Sequence, residues 1–264
     1  MNLELRPAAS LSTSELAALF SRGYEGYVIP FQVDEDALRF MTETFDLDLA
    51  AGRVAFRGDD AVGLANLAIR GTRGWIGGLG VVPTARRQGV ARVLMEAVHE
   101  QARARGLREL WLEVIEENEA AFALYEKLGY QLLRWVEVAT LDADRGASDG
   151  VDEAPVEDAL ARIRSLRRER EPWQREDATL AHYDDLRGVV TQDGAAVYRK
   201  LADGRVILLQ HGGNEDAARR LLQSLRADAA VTLFNVPSGD PALSVLKELG
   251  GHATVRQREM TLTL

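Results

Sequence analysis

The chain passes twice through one order of patterns, and this repetition restricts its architecture more than any other feature. In the first half, RVAFRG, AVGLANLAIRG and WIGGLGVV are apolar runs separated by turns at Asp59, Asp60 and at GTRG. Three such runs read as an antiparallel meander. A helical run from about Gly89 to Arg105 follows and stops at Gly106, which suits the left-handed position after a helix. Then come a strand in LWLEV, a helix in NEAAFALYEKLGY and a strand in QLLRWVEVATL. Ahead of the meander lie a short strand, LELRPA, a helix opened by the capping-box pair Ser12 and Glu15, and a second helix from Asp34. The second half repeats the order. RGVVTQDGAAVYRKLADGRVILLQHGG is a meander, NEDAARRLLQSLR a helix, VTLFNV a strand, DPALSVLKELGG a helix and HATVRQREMTLTL a strand. Placing Gly129 on Gly250 also sets Ala121 on Ala242 and Leu128 on Leu249, so we read a diverged internal duplication. Meanders joined to βα units predict a mixed α+β fold in two tandem copies around mainly antiparallel sheets, not a doubly wound parallel sheet.

A length of 264 residues accommodates two such domains. Residues 142–155, DADRGASDGVDEAP, are acidic and small, a linker composition. The expected domains are therefore 1–141 and 156–264, with Pro155 opening the helix VEDALARIRSLRR. Trp173 in EPWQRE is a candidate anchor for that linker helix. The net charge of −9 argues against a nucleic-acid partner and favours approach of a cationic, amine-bearing one. With no cysteine, and with His99, His182, His211 and His252 scattered, no metal is expected. No apolar run reaches spanning length and no secretory signal is visible, so no membrane partner and a cytoplasmic location are expected.

The stretch Arg86, Arg87, Gln88, Gly89, Val90, Ala91 and Arg92 joins the third meander strand to a helix. Helix N-terminal amides lack intrahelical partners and carry the positive end of the dipole, so they form an anion site. Gly89 and Ala91 permit close approach of a pyrophosphate, while Arg86 and Arg87 bring cationic donors. Taken alone, the stretch reads equally as a basic loop beginning an ordinary helix. The segment LWLEVIEENEAAFALYEKLGY adds Asn118, Ala121, Leu124, Tyr125, Leu128, Gly129 and Tyr130 on one strand–helix unit. The Arg-x-x-Gly-x-Ala loop and the Asn-x-x-Ala-x-x-Leu-Tyr-x-x-Leu-Gly-Tyr helix together resemble the GCN5-related N-acetyltransferase superfamily. The resemblance follows element order over residues 1–141 and is motif-specific over about 79–130.

This resemblance implies acetyl-CoA, or another short acyl-CoA, as acyl donor and a primary amine, on a small molecule, as acceptor. It implies that the backbone of Leu79, Gly80 and Val81 bonds the pantetheine arm, and that the amides from Arg87 to Arg92 hold the pyrophosphate. It places Asn118 near the pantetheine and Tyr125 as general acid toward the departing thiolate. Tyr125 reads otherwise as a half-buried aromatic. Alternation in LWLEVIE puts Trp111, Glu113 and Ile115 on one side, so Glu113 stands among apolar neighbours that favour a raised pKa and a base role. Its position also resembles that of the basic glutamate in bacterial enzymes acetylating ribosomal-protein N-termini; the other reading is a strand carboxylate. Tyr24, Tyr27 and Phe31 are candidates for an acceptor wall or for anchors of their own loop, and Trp75, Trp111 and Trp135 read as core or interface residues.

The second half carries HGGNEDAA where the basic loop belongs, with Leu246, Gly239 and Phe234 at the positions of Tyr125, Asn118 and Glu113. It reads as a degenerate copy, leaving either a monomeric pseudo-dimer or a homodimer. It is also a candidate wall of the acceptor cleft. Competing functions are a non-catalytic acyl-CoA sensor and a protein N-terminal acetyltransferase.

Overall fold

A computed structural model describes residues 3–27, 32–144, 150–227 and 229–264. Its contacts group the chain into two compact units, Met1–Leu133 with Arg258–Leu264, and Arg134–Gln257. Composition set its limits at 141 and 155; the contacts instead give the end of the final strand to the first unit.

The first unit follows the expected order: β1 (Glu4–Pro7), α1 (Thr13–Gly23), α2 (Glu35–Thr44), β2 (Arg53–Arg57), β3 (Asp60–Arg70), β4 (Arg73–Val81), α3 (Val90–Ala104), β5 (Glu109–Ile115) and α4 (Glu119–Lys127). The capping box forms: the Glu15 N–H donates to Ser12 Oγ at 3.3 Å, and the Ser12 N–H to Glu15 Oε2 at 2.8 Å. Gly106 takes φ 71° after α3, as its position in the sequence requires. Strands β1 to β4 pair antiparallel in sequence order, whereas β4 and β5 pair parallel. Beyond β5 lies the C-terminal strand, whose residues from Arg258 onward belong to this unit. Gly63 faces Leu94 of α3, while Gly80, paired with Leu64, faces Gly23 and Tyr24. Because successive strand residues point to opposite faces, α3 and α1 cover opposite sides of the sheet.

In the second unit, β6 (Gln131–Leu141, from Arg134 on) pairs with β11 (Val231–Pro237), followed by β10 (Val206–Gly212), β9 (Ala195–Lys200), β8 (Leu186–Val190) and β7 (Asp152–Ala154). Helices α5 (Val156–Leu166), α6 (Asp177–Leu180), α7 (Glu215–Arg226) and α8 (Pro241–Glu248) accompany them, and β12 (His252–Thr263) closes the chain. The predicted meander, helices and strands are present. The added strand β7 lies inside the linker composition: Asp152 to Ala154 pair with Val190 to Gly188, since ladder bonds are indifferent to exposed acidic side chains. Gly129 and Gly250 follow α4 and α8 at φ 93° and 91°, matching left-handed caps that support the duplication. Among the described residues, no helix is long and apolar enough to cross a membrane.

Candidate active site

The site begins where two parallel strands part. β4 and β5 are in register from Arg73 and Glu109 only to Trp75 and Trp111. Just beyond, the β3–β4 register shifts between Ala65–Leu79 and Leu67–Ile76, so Gly77 and Gly78 form a bulge in β4, with Gly78 at φ 142°. A bulge bends its strand and releases the neighbouring ladder. Asn66 lies opposite, 1% exposed, with neither amide atom hydrogen-bonded to protein; no sequence signal singled it out.

The loop after β4 has the backbone that an anion site needs. Arg87 at φ 63° and Gly89 at φ 79° are left-handed, and no side chain caps α3. The first main-chain bond of the helix is from Val93 N–H to Gly89 O at 3.1 Å. Among the described residues, the N–H groups from Arg87 through Arg92 have no main-chain or side-chain acceptor. The side chains divide. Arg86 is spent inside the protein, donating from Nε to Val81 O at 2.9 Å and from Nη2 to Gly23 O and Glu25 O at 3.2 and 2.6 Å. It ties the end of α1 to the end of β4. Gln88 accepts from Arg57 and donates to Thr84 O, and Arg92 pairs with Glu96 at 2.8 Å. Arg87 is exposed and pairs with no described residue.

Four predicted residues converge beside the bulge. Tyr24 stacks on Phe20 at 5.1 Å and meets Tyr27 edge-on at 5.2 Å. Burial raises the Tyr24 pKa strongly, Tyr27 adds to this, and a hydrogen bond from the Leu79 backbone opposes it. Asn118 caps α4, accepting from Ala121 N–H at 3.1 Å, and its Nδ2 donates to the Tyr27 hydroxyl at 3.3 Å. Tyr125 is 6% exposed, with Tyr130 edge-on at 5.7 Å. Burial first, then neighbouring Tyr24 and Tyr27, push its pKa far above the ordinary value, so its hydroxyl keeps its proton throughout the neutral range. Phe31 lies outside the described residues.

Glu113 lies on the opposite strand of the parting pair. The strand alternation is as predicted, with Leu112 and Val114 buried and Glu113 half-buried. The Trp75 indole N–H donates to Glu113 Oε2 at 2.8 Å, a contact across 38 residues of sequence.

Behind Tyr125, His99 Nε2 and the Tyr130 hydroxyl are 3.0 Å apart. Burial and then Arg103 lower the His99 pKa to about 4, against a small opposing effect of Glu96. The folded value lies below the unfolded one, so the unfolded chain takes up the proton first as pH falls. Stability is therefore full above about pH 6.5 and declines toward pH 4, with about 2 kcal/mol lost between pH 7 and 5 through this group. Urea unfolding of wild type and His99→Gln at both pH values checks this: the variant should show that much less acid sensitivity.

The second unit builds the matching places differently. Asn214 caps α7, accepting from Ala217 N–H at 2.9 Å, and Glu215 and Asp216 occupy the first turn. β10 and β11 part after Leu208 and Leu233, and Arg175 donates to Phe234 O at 3.2 Å. Trp173 and Arg175 are 2% and 1% exposed, and Arg175 bonds Glu171 at 2.7 Å. Asp177 falls to about 2: burial raises its pKa, but Gln210, Arg164 and Arg167 donating to the carboxylate outweigh it. His211 Nε2 lies 2.9 Å from Asp240 Oδ1. Burial lowers the His211 pKa, and Asp240 more than reverses that. This pairing joins residues from separate elements and had no signal in the spacing.

Residues 16–130 match the model of the acetyltransferase (GNAT) family. Over 52 residues the chain is 46% identical to ribosomal protein bS18-alanine N-acetyltransferase of Escherichia coli strain K12, covering 20% of this chain and 35% of that enzyme. The chain thus spans about a third of the length of that curated relative. The crystal structure of a GCN5-related N-acetyltransferase from Sphaerobacter thermophilus shares the fold at a TM-score of 0.72 and 17% identity, over 99% of this chain and 95% of that one. A tandem GNAT protein from the clavulanic acid biosynthesis pathway does so at 0.65 and 16%, over 99% and 98%. Residues 16–130, within the first unit, thus match the acetyltransferase (GNAT) family, and the whole chain is alike in fold to a tandem GNAT protein.

Proposed function

We propose that the first unit transfers an acetyl group from acetyl-CoA to a primary amine. The observation that carries this is the run of unbonded amides from Arg87 to Arg92, set against the second unit, where Asn214 and two carboxylates close the corresponding helix start. These amides, Gly89 and Arg87 suit the diphosphate of the donor. The backbone of Leu79, Gly80 and Val81 is read as the partner of the pantetheine arm, with Asn118 beside it; the Leu79 N–H is held by the Tyr24 hydroxyl until the arm displaces it. Glu113 takes the proton that the amine loses as nitrogen bonds the thioester carbonyl. Tyr125 gives its proton to sulfur as the carbon–sulfur bond breaks. Tyr24 and Tyr27 line the acceptor side.

The acceptor is read as a small-molecule amine. The likeness to an alanine N-acetyltransferase favours, as a second reading, the amino group of a peptide's N-terminal alanine. Thiol release from acetyl-CoA over a panel of a polyamine, an aminoglycoside, free amino acids and an alanine-terminated peptide tests both. Calorimetric binding without turnover of any of them would favour an acyl-CoA sensor. In the same titration, Arg87→Ala should weaken CoA binding about tenfold at low salt and less at high salt, with thermal stability unchanged. Equal affinity at both salt concentrations would remove Arg87 from the cradle.

A further inference from the structure

We propose that Trp75 is a positioning residue for Glu113, holding its carboxylate in the rotamer that receives the amine's proton; this rests on the base role read for Glu113. Trp75 and Trp111 form the last register pair before β4 and β5 part, and Glu113 follows Trp111 by two on the same face. There the indole N–H meets Oε2 at 2.8 Å. The ring is fixed independently of that bond. Trp75 is 6% exposed, and Phe45 packs edge-on at 5.8 Å. A Cβ on Gly77 would come within 2.7 Å of the indole Cζ3, so the ring occupies space that only glycine leaves. An indole N–H donates and never accepts, so it anchors one carboxylate oxygen without competing for the proton. A strand carboxylate beside a parted ladder otherwise exchanges among rotamers, and displacement by a fraction of its own length takes it out of reach of the amine. The anchor is thus supplied by a rigid aromatic in β4, across the gap from the group it orients.

The test has a ligand-free arm and a kinetic arm, both on the full chain. The four tryptophans give four indole N–H signals in a nitrogen-15 spectrum, and the one absent from Trp75→Phe belongs to Trp75. In Glu113→Gln that signal should move upfield while the other three hold, because a neutral acceptor replaces a charged one. With acetyl-CoA and whichever panel amine turns over, Trp75→Phe should lower kcat about tenfold at unchanged acetyl-CoA KM. It should have no further effect in a Glu113→Gln background. An unmoved indole signal overturns the contact. Wild-type kcat in Trp75→Phe beside an impaired Glu113→Gln overturns the positioning role alone. Wild-type kcat in Glu113→Gln overturns the base reading, and the positioning role with it.

Discussion

Residues 1–141 expressed alone are expected to give no cooperatively folding domain, although they contain every residue proposed for the chemistry. The end of the C-terminal strand belongs to the first unit. There Met260 is completely buried in the same core as Leu110, Leu112 and Tyr125, and the Leu264 N–H donates to Arg108 O at 2.9 Å. Arg258 donates to Glu116 O at 2.8 Å and to Glu119 at 2.7 Å, bracing the turn that presents Asn118 and α4. Its guanidinium also lies 4.3 Å from the centre of the Phe122 ring. Deleting this strand exposes one edge of β5 and empties the Met260 site, which alone costs about 2–5 kcal/mol. Domains hold only about 5–15 kcal/mol in total, so these losses together unfold the unit. Urea titration followed by near-ultraviolet circular dichroism should show a sigmoidal transition for the full chain and none for residues 1–141. A sigmoidal transition in that fragment would show that the strand is dispensable.

Tyr125→Phe is expected to lower kcat by roughly 10²-fold or more with the acetyl-CoA KM unchanged, because a proton donor contributes only as the thiolate forms. The ring is buried against Tyr130 and phenylalanine fills the same space, so the melting temperature should move little. Burial also sets the sign of the pH response. The Tyr125 pKa is raised, so the phenol stays protonated beyond its usual value of about 10, and its ionisation removes no activity on the alkaline side below that point. A rate for Tyr125→Phe equal to wild type would remove the acid assignment. A fall in kcat/KM carried wholly by KM would make the residue a binding group instead.

Most of the element order was legible because its determinants are local. Apolar runs bounded by turn residues mark β2, β3 and β4, the pair Ser12 and Glu15 marks the start of α1, and Gly106 marks the end of α3. Even the pairing of Gly129 with Gly250 could be drawn on sequence, since a left-handed residue after a helix leaves glycine as its mark in each copy. The loop from Arg87 to Arg92 was legible for the same reason: unbonded amides follow from helix geometry alone.

The destinations of long side chains were not. Arg86 and Arg87 are identical neighbours in sequence, yet Arg86 reaches the carbonyls of Gly23 and Glu25, whereas Arg87 stands exposed. In sequence Trp75 reads as a core or interface residue, and only the register of β4 on β5 brings its indole to Glu113. The EPWQRE segment showed a tryptophan, but not the buried pairing of Arg175 with Glu171. The sequence by itself determined where helices and strands begin, how many times the pattern runs, and where main-chain amides are left unbonded, because each is decided within a few residues of chain. The tertiary structure alone decided which strand edges are completed by distant residues and which charged groups are spent on carbonyls, because those depend on loop closures of tens to more than a hundred residues that leave no local periodicity.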